Sequence, residues 1–316
     1  MKTKGQKTIA VLGAGIMGHG IAQVFALKGY KVNLLDTNQD ILDKALERVK
    51  LDLEMLRKRG KIKNTSVEGT LANIRKTTDL AKAVKGVVFV VEAIPENIAL
   101  KKDLFQELDR ICAPDVIFSS NTSTMKITEI SSATKRPDKV IGMHWMLPPH
   151  LRPLVEVIPG EKTSKETIAY TKELAVKLGK TPVEAKDSPG FIINRLQIGV
   201  FLQALKLLEE GVSPEDIDRA WTHHLGLRYC IMGPIEAMDS MGLDTLYMAS
   251  LYLASVLNDP NLNPPDIVKK KFEQGEYGYK TGKGFYDYTN ISIDTLIDQR
   301  NEQLLDVMDM LKISAD

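Results

Sequence analysis

Cysteine is scarce in this chain. Cys112 and Cys230 are the only two in 316 residues, with no metal-type spacing and too few for a disulfide framework. Long apolar runs are missing as well. Nothing approaches the roughly 18 consecutive apolar residues that span a bilayer, and the polar N-terminus runs straight into an apolar segment, leaving no room for a signal peptide. Neither sign of charge dominates: 42 basic and 41 acidic residues give a formal net charge of +1, so no nucleic-acid or membrane partner is indicated. Of the five histidines, the adjacent His223 and His224 point in different directions on a helix, which is poor for chelation, and no metal is expected. What remains is an ordinary globular composition, long enough for two domains, with a cytoplasmic, reduced setting as the expectation.

Residues 9–36 carry the strongest signal. An apolar run, Ile9-Ala10-Val11-Leu12, leads into Gly13-Ala14-Gly15-Ile16-Met17-Gly18, then an apolar helical pattern stopped by Gly29, then a second apolar run ending on Asp36. A G-x-G-x-x-G loop between strand and helix, with an acid 18 residues past its last glycine, is a dinucleotide-binding pattern. Gly13 permits the turn, Gly15 lets a pyrophosphate approach the backbone, and Gly18 lets helix and strand pack closely. The phosphates then sit on free N–H groups of the helix N-terminus, so Ile16 and Met17 join the glycines as expected cofactor contacts. Asp36 suits ribose hydroxyls and repels the 2′-phosphate of NADP, and Thr37 and Asn38 offer no arginine to receive one. The expected cofactor is NAD.

The first part of the chain alternates strand-like and helix-like segments. Strands are expected at 87–91, 116–119, 140–143 and 155–158, and helices at 38–59, 100–111 and 167–178, with 61–78 read as a polar surface crossing. This predicts a Rossmann-type, doubly wound α/β domain over residues 1–188. From residue 189 to 316 the pattern is all helical. Residues 191–210 form a helix whose apolar side chains nearly encircle it, so burial is expected. Ser213, Pro214 and Asp216 mark a further helix start, and 292–311 a final packing helix.

Several polar residues stand where apolar ones belong. His144 ends a predicted strand, at the edge where open α/β sheets bind ligands, and Glu156 lies inside the next apolar strand. Paired, the carboxylate fixes the imidazole's tautomer and stabilises its protonated form; a core histidine bonded to a carbonyl is the competing reading. The run Ser119-Ser120-Asn121-Thr122-Ser123 follows a strand and either lines a crevice or caps a helix. Asn194 in the apolar helix needs partners, substrate or structural. Lys58, Arg59, Lys61 and Lys63 form a basic cluster, either a solvated face or an attractor of nucleotide phosphate.

Together the motifs GAGIMGHGIA (13–22), VVEAIPEN (90–97), SSNTS (119–123), GMHW (142–145), LVEVI (154–158), DSPGFIINR (187–195), GPIEAMDSMGLDT (233–245) and GYKTGKGFYDY (278–288) resemble the 3-hydroxyacyl-CoA dehydrogenase family over nearly the whole chain. The resemblance implies a His144–Glu156 catalytic dyad, with Ser123 and Asn194 holding the substrate's hydroxyl and carbonyl. It implies NAD contacts at Asp36, Glu96, Lys101 and Lys280, with Asn121 of the polar run also assigned to the cofactor. It further implies a homodimer built by the helical domain. Two departures stand out. Where the family has His-Phe-Phe-Asn-Pro, this chain has His144-Trp145-Met146-Leu147-Pro148, and Leu147 has no side-chain hydrogen bond to offer nicotinamide. Arg59 and Lys61 fit the family's CoA-phosphate positions, but Met55 stands where some members carry lysine. The segments at 148–151 and 226–229 resemble the carnitine and gulonate dehydrogenase branch, whose substrates are free 3-hydroxy acids. There Arg152 or Arg228 suits a free carboxylate.

The expected activity is NAD-dependent oxidation of a (3S)-3-hydroxyacyl-CoA to the 3-oxoacyl-CoA. One alternative is a dehydrogenase of a free 3-hydroxy acid. Another, raised by Leu147, is an NAD-binding protein with little turnover and a structural or sensory role.

Overall fold

The computed structural model describes residues 7–62 and 67–313, so Lys63 of the basic cluster lies outside the described residues. Its strands are β1 (Thr8–Leu12), β2 (Lys31–Leu35), β3 (Ile74–Thr77), β4 (Phe89–Glu92), β5 (Ile117–Ser120), β6 (Val140–Trp145), β7 (Leu154–Pro159) and β8 (Thr181–Glu184). They form one sheet in the order β3-β2-β1-β4-β5-β6-β7-β8. Every pairing is parallel except β6 with β7, which run antiparallel. The strand order reverses between β1 and β4, which creates the crevice where doubly wound sheets hold ligands.

Alternation along the strands feeds two apolar layers. Ile9 and Val11 face one layer with Ile21, Phe25, Leu42 and Leu53 from the Gly18–Leu27 and Gln39–Lys58 helices. Ala10 and Leu12 face the other with Phe105 and Leu108 from the Ile98–Ile111 helix. Burial on both faces explains why these strands read as continuous apolar runs.

Two strands carry no such run. Residues 61–78 are not simply a polar crossing: Val67–Leu71 is helical and Ile74–Thr77 is the edge strand β3. Only Ile74 of β3 is buried, so backbone pairing with β2 makes this strand without an apolar pattern. β8, at the opposite edge, has no buried residue.

The chain divides into two compact units, Met1–Val200 and Phe201–Asp316. The second is helical, with helices that include Pro214–Ala220, Pro234–Met241, Leu243–Val256 and Ile293–Leu311. Ser213 caps the first of these through Asp216 N at 3.1 Å. Fully buried Asp239 accepts from Phe285 N, Tyr286 N and the Tyr288 hydroxyl at 2.9–3.0 Å, which fastens residues 278–288 to the Pro234–Met241 helix. The expected burial of the 191–210 helix is not met. No residue of Ile193–Glu209 is buried within this chain, and Phe201, Leu202 and Leu205 are half exposed or more. Its apolar perimeter exceeds what the other described helices of this chain cover.

Candidate functional site

The first unit holds a cleft of about 1160 Å³ that extends from Asp36 and the glycine loop to His144 and Asn194. At one end β1 delivers the loop. Gly13 takes φ +98°, and a Cβ there would lie 2.5 Å from Ala93 O. A Cβ on Gly18 would lie 1.7 Å from Gly13 O, so this glycine is demanded by the fold itself. Around Gly15 nothing lies within 4 Å of a Cβ position. That glycine answers to no protein neighbour and leaves open room at the helix N-terminus, as a pyrophosphate requires. Ile16 and Met17 line the cleft beside it. Asp36, at the end of β2, is turned toward the loop by a 2.8 Å bond from Ala14 N. The His19 ring binds Gly15 O at 2.8 Å and steadies the loop. These residues fit a dinucleotide.

At the other end, His144 on β6 and Glu156 on β7 are directly opposed in the antiparallel pair, which puts both side chains on one face. His144 Nδ1–H donates to Glu156 Oε2 at 2.6 Å. The other carboxylate oxygen accepts from Ile192 N at 2.8 Å and Ile193 N at 3.1 Å. These amides follow Phe191, whose φ of 47° turns the chain so that both N–H groups face Glu156. The Phe191 ring packs 5.9 Å from the imidazole. Burial opposes ionisation of Glu156, but the bonds from His144, Ile192 and Ile193 outweigh it and hold the carboxyl below its ordinary range. With Nδ1 committed, Nε2 is the nitrogen left to exchange a proton.

The polar run at 119–123 splits in two. Ser119 and Ser120 are buried and bond Val90 O and Glu92, and buried Thr122 bonds Glu96. Asn121 and Ser123 line the cleft. Asn121 Oδ1 accepts from Trp145 N at 2.9 Å. Asn194 Nδ2 donates to Ser123 O at 2.8 Å, fixing the serine and leaving the amide's second N–H for a ligand. Glu96 also lines the cleft, gripped by Thr122, Lys101 and the Ser123 amide. Burial works against its ionisation, yet these partners outweigh that and keep it below the usual range.

Lys101 does not line the cleft. It is 1% exposed, and its ammonium is shared among Glu92 at 2.6 Å, Glu96 at 3.2 Å and Ile94 O at 3.3 Å. Any influence on a cofactor passes through Glu96. Arg59 and Lys61 are exposed just past the Gln39–Lys58 helix and do not line the cleft either. Lys280 and Arg228 belong to the second unit. Lys280 is held by Asp244 at 2.9 Å and Thr245 at 3.0 Å, while Arg228 lies 3.0 Å from His224 Nε2. Among the described residues no group of three His, Cys, Asp or Glu is placed to hold a metal ion. Nor is any described helix long and apolar enough to cross a membrane.

Sequence reasoning passed over Glu92, the fully buried acid that orients both Lys101 and Ser120. Its signal was the one that exposed Glu156, a charge within an apolar strand. The amides of Ile192 and Ile193 left no signal, because every residue carries one.

A glycine loop for a dinucleotide and an imidazole–carboxylate pair on one cleft define a nicotinamide-dependent oxidoreductase domain. The family model described as 3-hydroxyacyl-CoA dehydrogenase, NAD binding domain, matches residues 8–188, and that for the C-terminal domain matches residues 190–288. The probable 3-hydroxybutyryl-CoA dehydrogenase of Bacillus subtilis (strain 168) is 42% identical over 283 residues, 89% of this chain and 97% of that protein. The crystal structure of the 3-hydroxyacyl-CoA dehydrogenase of Archaeoglobus fulgidus superposes with a TM-score of 0.80 at 35% identity, over 98% of this chain and 100% of that one. That of a 5-formyl-3-hydroxy-2-methylpyridine 4-carboxylic acid 5-dehydrogenase, an NAD⁺-dependent dismutase, gives 0.72 at 32% identity, over 97% and 98%. The chain belongs to the 3-hydroxyacyl-CoA dehydrogenase family, and NAD is its cofactor.

Proposed function

We propose that the protein catalyses the reversible NAD-dependent oxidation of (3S)-3-hydroxyacyl-CoA to 3-oxoacyl-CoA. The observation that carries this reading is the His144–Glu156 pair opening on the same cleft as the glycine loop. Asp36 and Glu96 would hold the cofactor's ribose hydroxyls, and residues 13–18 its pyrophosphate. Bound NAD⁺ supplies the hydride acceptor. His144 Nε2 takes the substrate hydroxyl proton, and Glu156 stabilises the imidazolium that forms. In reverse the imidazolium returns that proton to the developing alkoxide. General acid–base assistance of this kind contributes roughly 100- to 10,000-fold. Ser123 presents its hydroxyl to the substrate, and the free N–H of Asn194 polarises the carbonyl. The exposed Arg59 and Lys61 are the proposed contacts for CoA phosphates.

The test is NADH consumption with acetoacetyl-CoA, for wild type and His144→Ala. Turnover in the wild type, with loss in the variant by at least 100-fold and NADH affinity within threefold, is expected. No turnover of any 3-oxo substrate by an NADH-binding wild type would leave the weakly active alternative.

Residues 1–188 are assigned to the cofactor and 189–316 to substrate and dimer contacts. A homodimer is supported by the exposed Phe201, Leu205, Met248 and Tyr252 of the helical unit. Light scattering should give a dimer for the wild type and a monomer for Phe201→Glu/Leu205→Glu; a monomeric wild type rejects the assignment.

A further inference from the structure

His19 is the second residue of the Gly18–Leu27 helix, directly after the glycine loop. Gly15 O accepts from it twice, from the backbone N–H at 3.2 Å and from the ring at 2.8 Å. A carbonyl only accepts, so Nδ1 carries the proton of the ring bond. That bond bears on the cofactor through the peptide it holds. The Gly15–Ile16 peptide is planar and trans, so its C=O and N–H point in opposite directions. Holding Gly15 O toward the helix therefore turns the Ile16 N–H outward. Ile16 lines the cleft, and neither its N–H nor that of Met17 has an acceptor among the described residues. Gly15 itself, with nothing within 4 Å of a Cβ position, has no side chain or neighbour to fix that peptide.

The ring is held from its other side as well. Nε2 faces Asp52 Oδ2 of the Gln39–Lys58 helix at 3.9 Å, with the two side chains 14% and 16% exposed. His150 Nδ1, on the connection between β6 and β7, faces the same oxygen at 3.6 Å. His150 stands on anchored backbone, because buried Lys180 donates to Pro149 O at 2.6 Å and Arg152 O at 2.7 Å. Burial pushes the His150 imidazole below its ordinary range; His19 and Lys180 act in the same direction, and Asp52 opposes them. His150 is therefore neutral at pH 7 and leaves the Asp52 charge to His19.

We propose that His19 is a positioning residue for the cofactor's pyrophosphate: oriented by Asp52, its ring fixes the Gly15 peptide so that the Ile16 N–H is presented to a phosphate. The glycines make room for the phosphates, and His19 aims a donor at them. A histidine that only steadied the fold would act on every ligand of the loop alike. One that aims a donor acts on ligands that carry phosphate.

The experiment compares ADP with adenosine as competitors of NADH, followed by NADH fluorescence in the full-length enzyme at pH 7, for wild type, His19→Ala, His19→Asn and Asp52→Asn. Adenosine keeps the ribose assigned to Asp36 and lacks the phosphates. We expect His19→Ala to weaken NADH and ADP about 10-fold and to leave adenosine within about twofold. His19→Asn should recover most of that loss, because the asparagine Nδ2 stands as many bonds from the backbone as the histidine Nδ1. Asp52→Asn should weaken ADP about threefold, with no further loss when it is combined with His19→Ala. An ADP affinity unchanged in His19→Ala overturns the proposal. So does an equal loss of ADP and adenosine, or an asparagine that recovers nothing. If His19→Ala does not fold, Asp52→Asn gives the same contrast: loss of ADP without loss of adenosine upholds the proposal, and any other pattern rejects it. Only binding is read, so a failure here leaves the reading of the substrate and of His144 as it stands.

Discussion

Glu156→Gln removes one charge and almost no volume from the proposed dyad. The carboxylate accepts on both sides, from His144 through one oxygen and from Ile192 and Ile193 through the other. A glutamine accepts on one side only. Its amide nitrogen must then face either the backbone N–H pair or the His144 Nδ1–H, donor against donor. The larger loss is electrostatic. Unit charges about 4 Å apart attract by about 4 kcal/mol at an effective dielectric near 20. That dielectric suits the site, because the His144 side chain is 9% exposed and water reaches one side of the pair. An imidazolium forming in the transition state forfeits about that amount, or roughly 1000-fold in rate. The assay is steady-state NADH oxidation with acetoacetyl-CoA, with NADH affinity measured separately. We expect kcat to fall about 1000-fold and NADH affinity to stay within threefold. A variant that keeps a tenth or more of wild-type kcat refutes the role given to Glu156. The same variant has a pH signature. Because the folded carboxyl lies below its ordinary value of 4.5, its contribution to stability is present above 4.5 and is lost as pH falls through the lower folded value. The Tm gap between wild type and Glu156→Gln should therefore close as pH falls from 4.5 through the lower folded value; a gap that widens over that interval contradicts the direction of the shift.

The two loop glycines should separate by phenotype. Gly18→Ala forces a Cβ to 1.7 Å from Gly13 O and should sharply lower Tm, whereas Gly15→Ala meets no protein atom and should keep Tm within about a degree while NADH affinity falls at least tenfold. Equal Tm loss in both variants, or full NADH affinity in Gly15→Ala, would argue that the loop is structural. Lys101→Met strands buried Glu92 without its counter-charge and should cost about 3–5 kcal/mol in urea unfolding. Glu92→Gln in the same chain should restore part of that, and no restoration would mean the pair is not the source of the loss.

Residues 9–36 were legible because each constraint there is local. Gly13 at φ +98° and Gly18 against Gly13 O are demands of one tight turn, and Asp36 ends the strand beside it. His144 and Glu156 stood out singly, as polar residues within apolar strands. Lys101, which the family resemblance gives to the cofactor, holds an ammonium enclosed by Glu92, Glu96 and Ile94 O, a setting that its place in a helical pattern did not reveal. Strands β3 and β8 escaped notice because edge strands are held by backbone pairing, which leaves no apolar imprint on side chains.

The sequence by itself determined the alternating α/β order, the dinucleotide loop and the choice of NAD, since strand burial, turn sterics and one acid's charge act within a few residues of each other. Only the tertiary structure decided that β6 and β7 run antiparallel with His144 opposite Glu156, and that Phe191 swings two amides onto the same carboxylate. Strand direction and partner choice depend on groups distant in the chain meeting in space, and the backbone amides and carbonyls that make most of those bonds are the same in every residue.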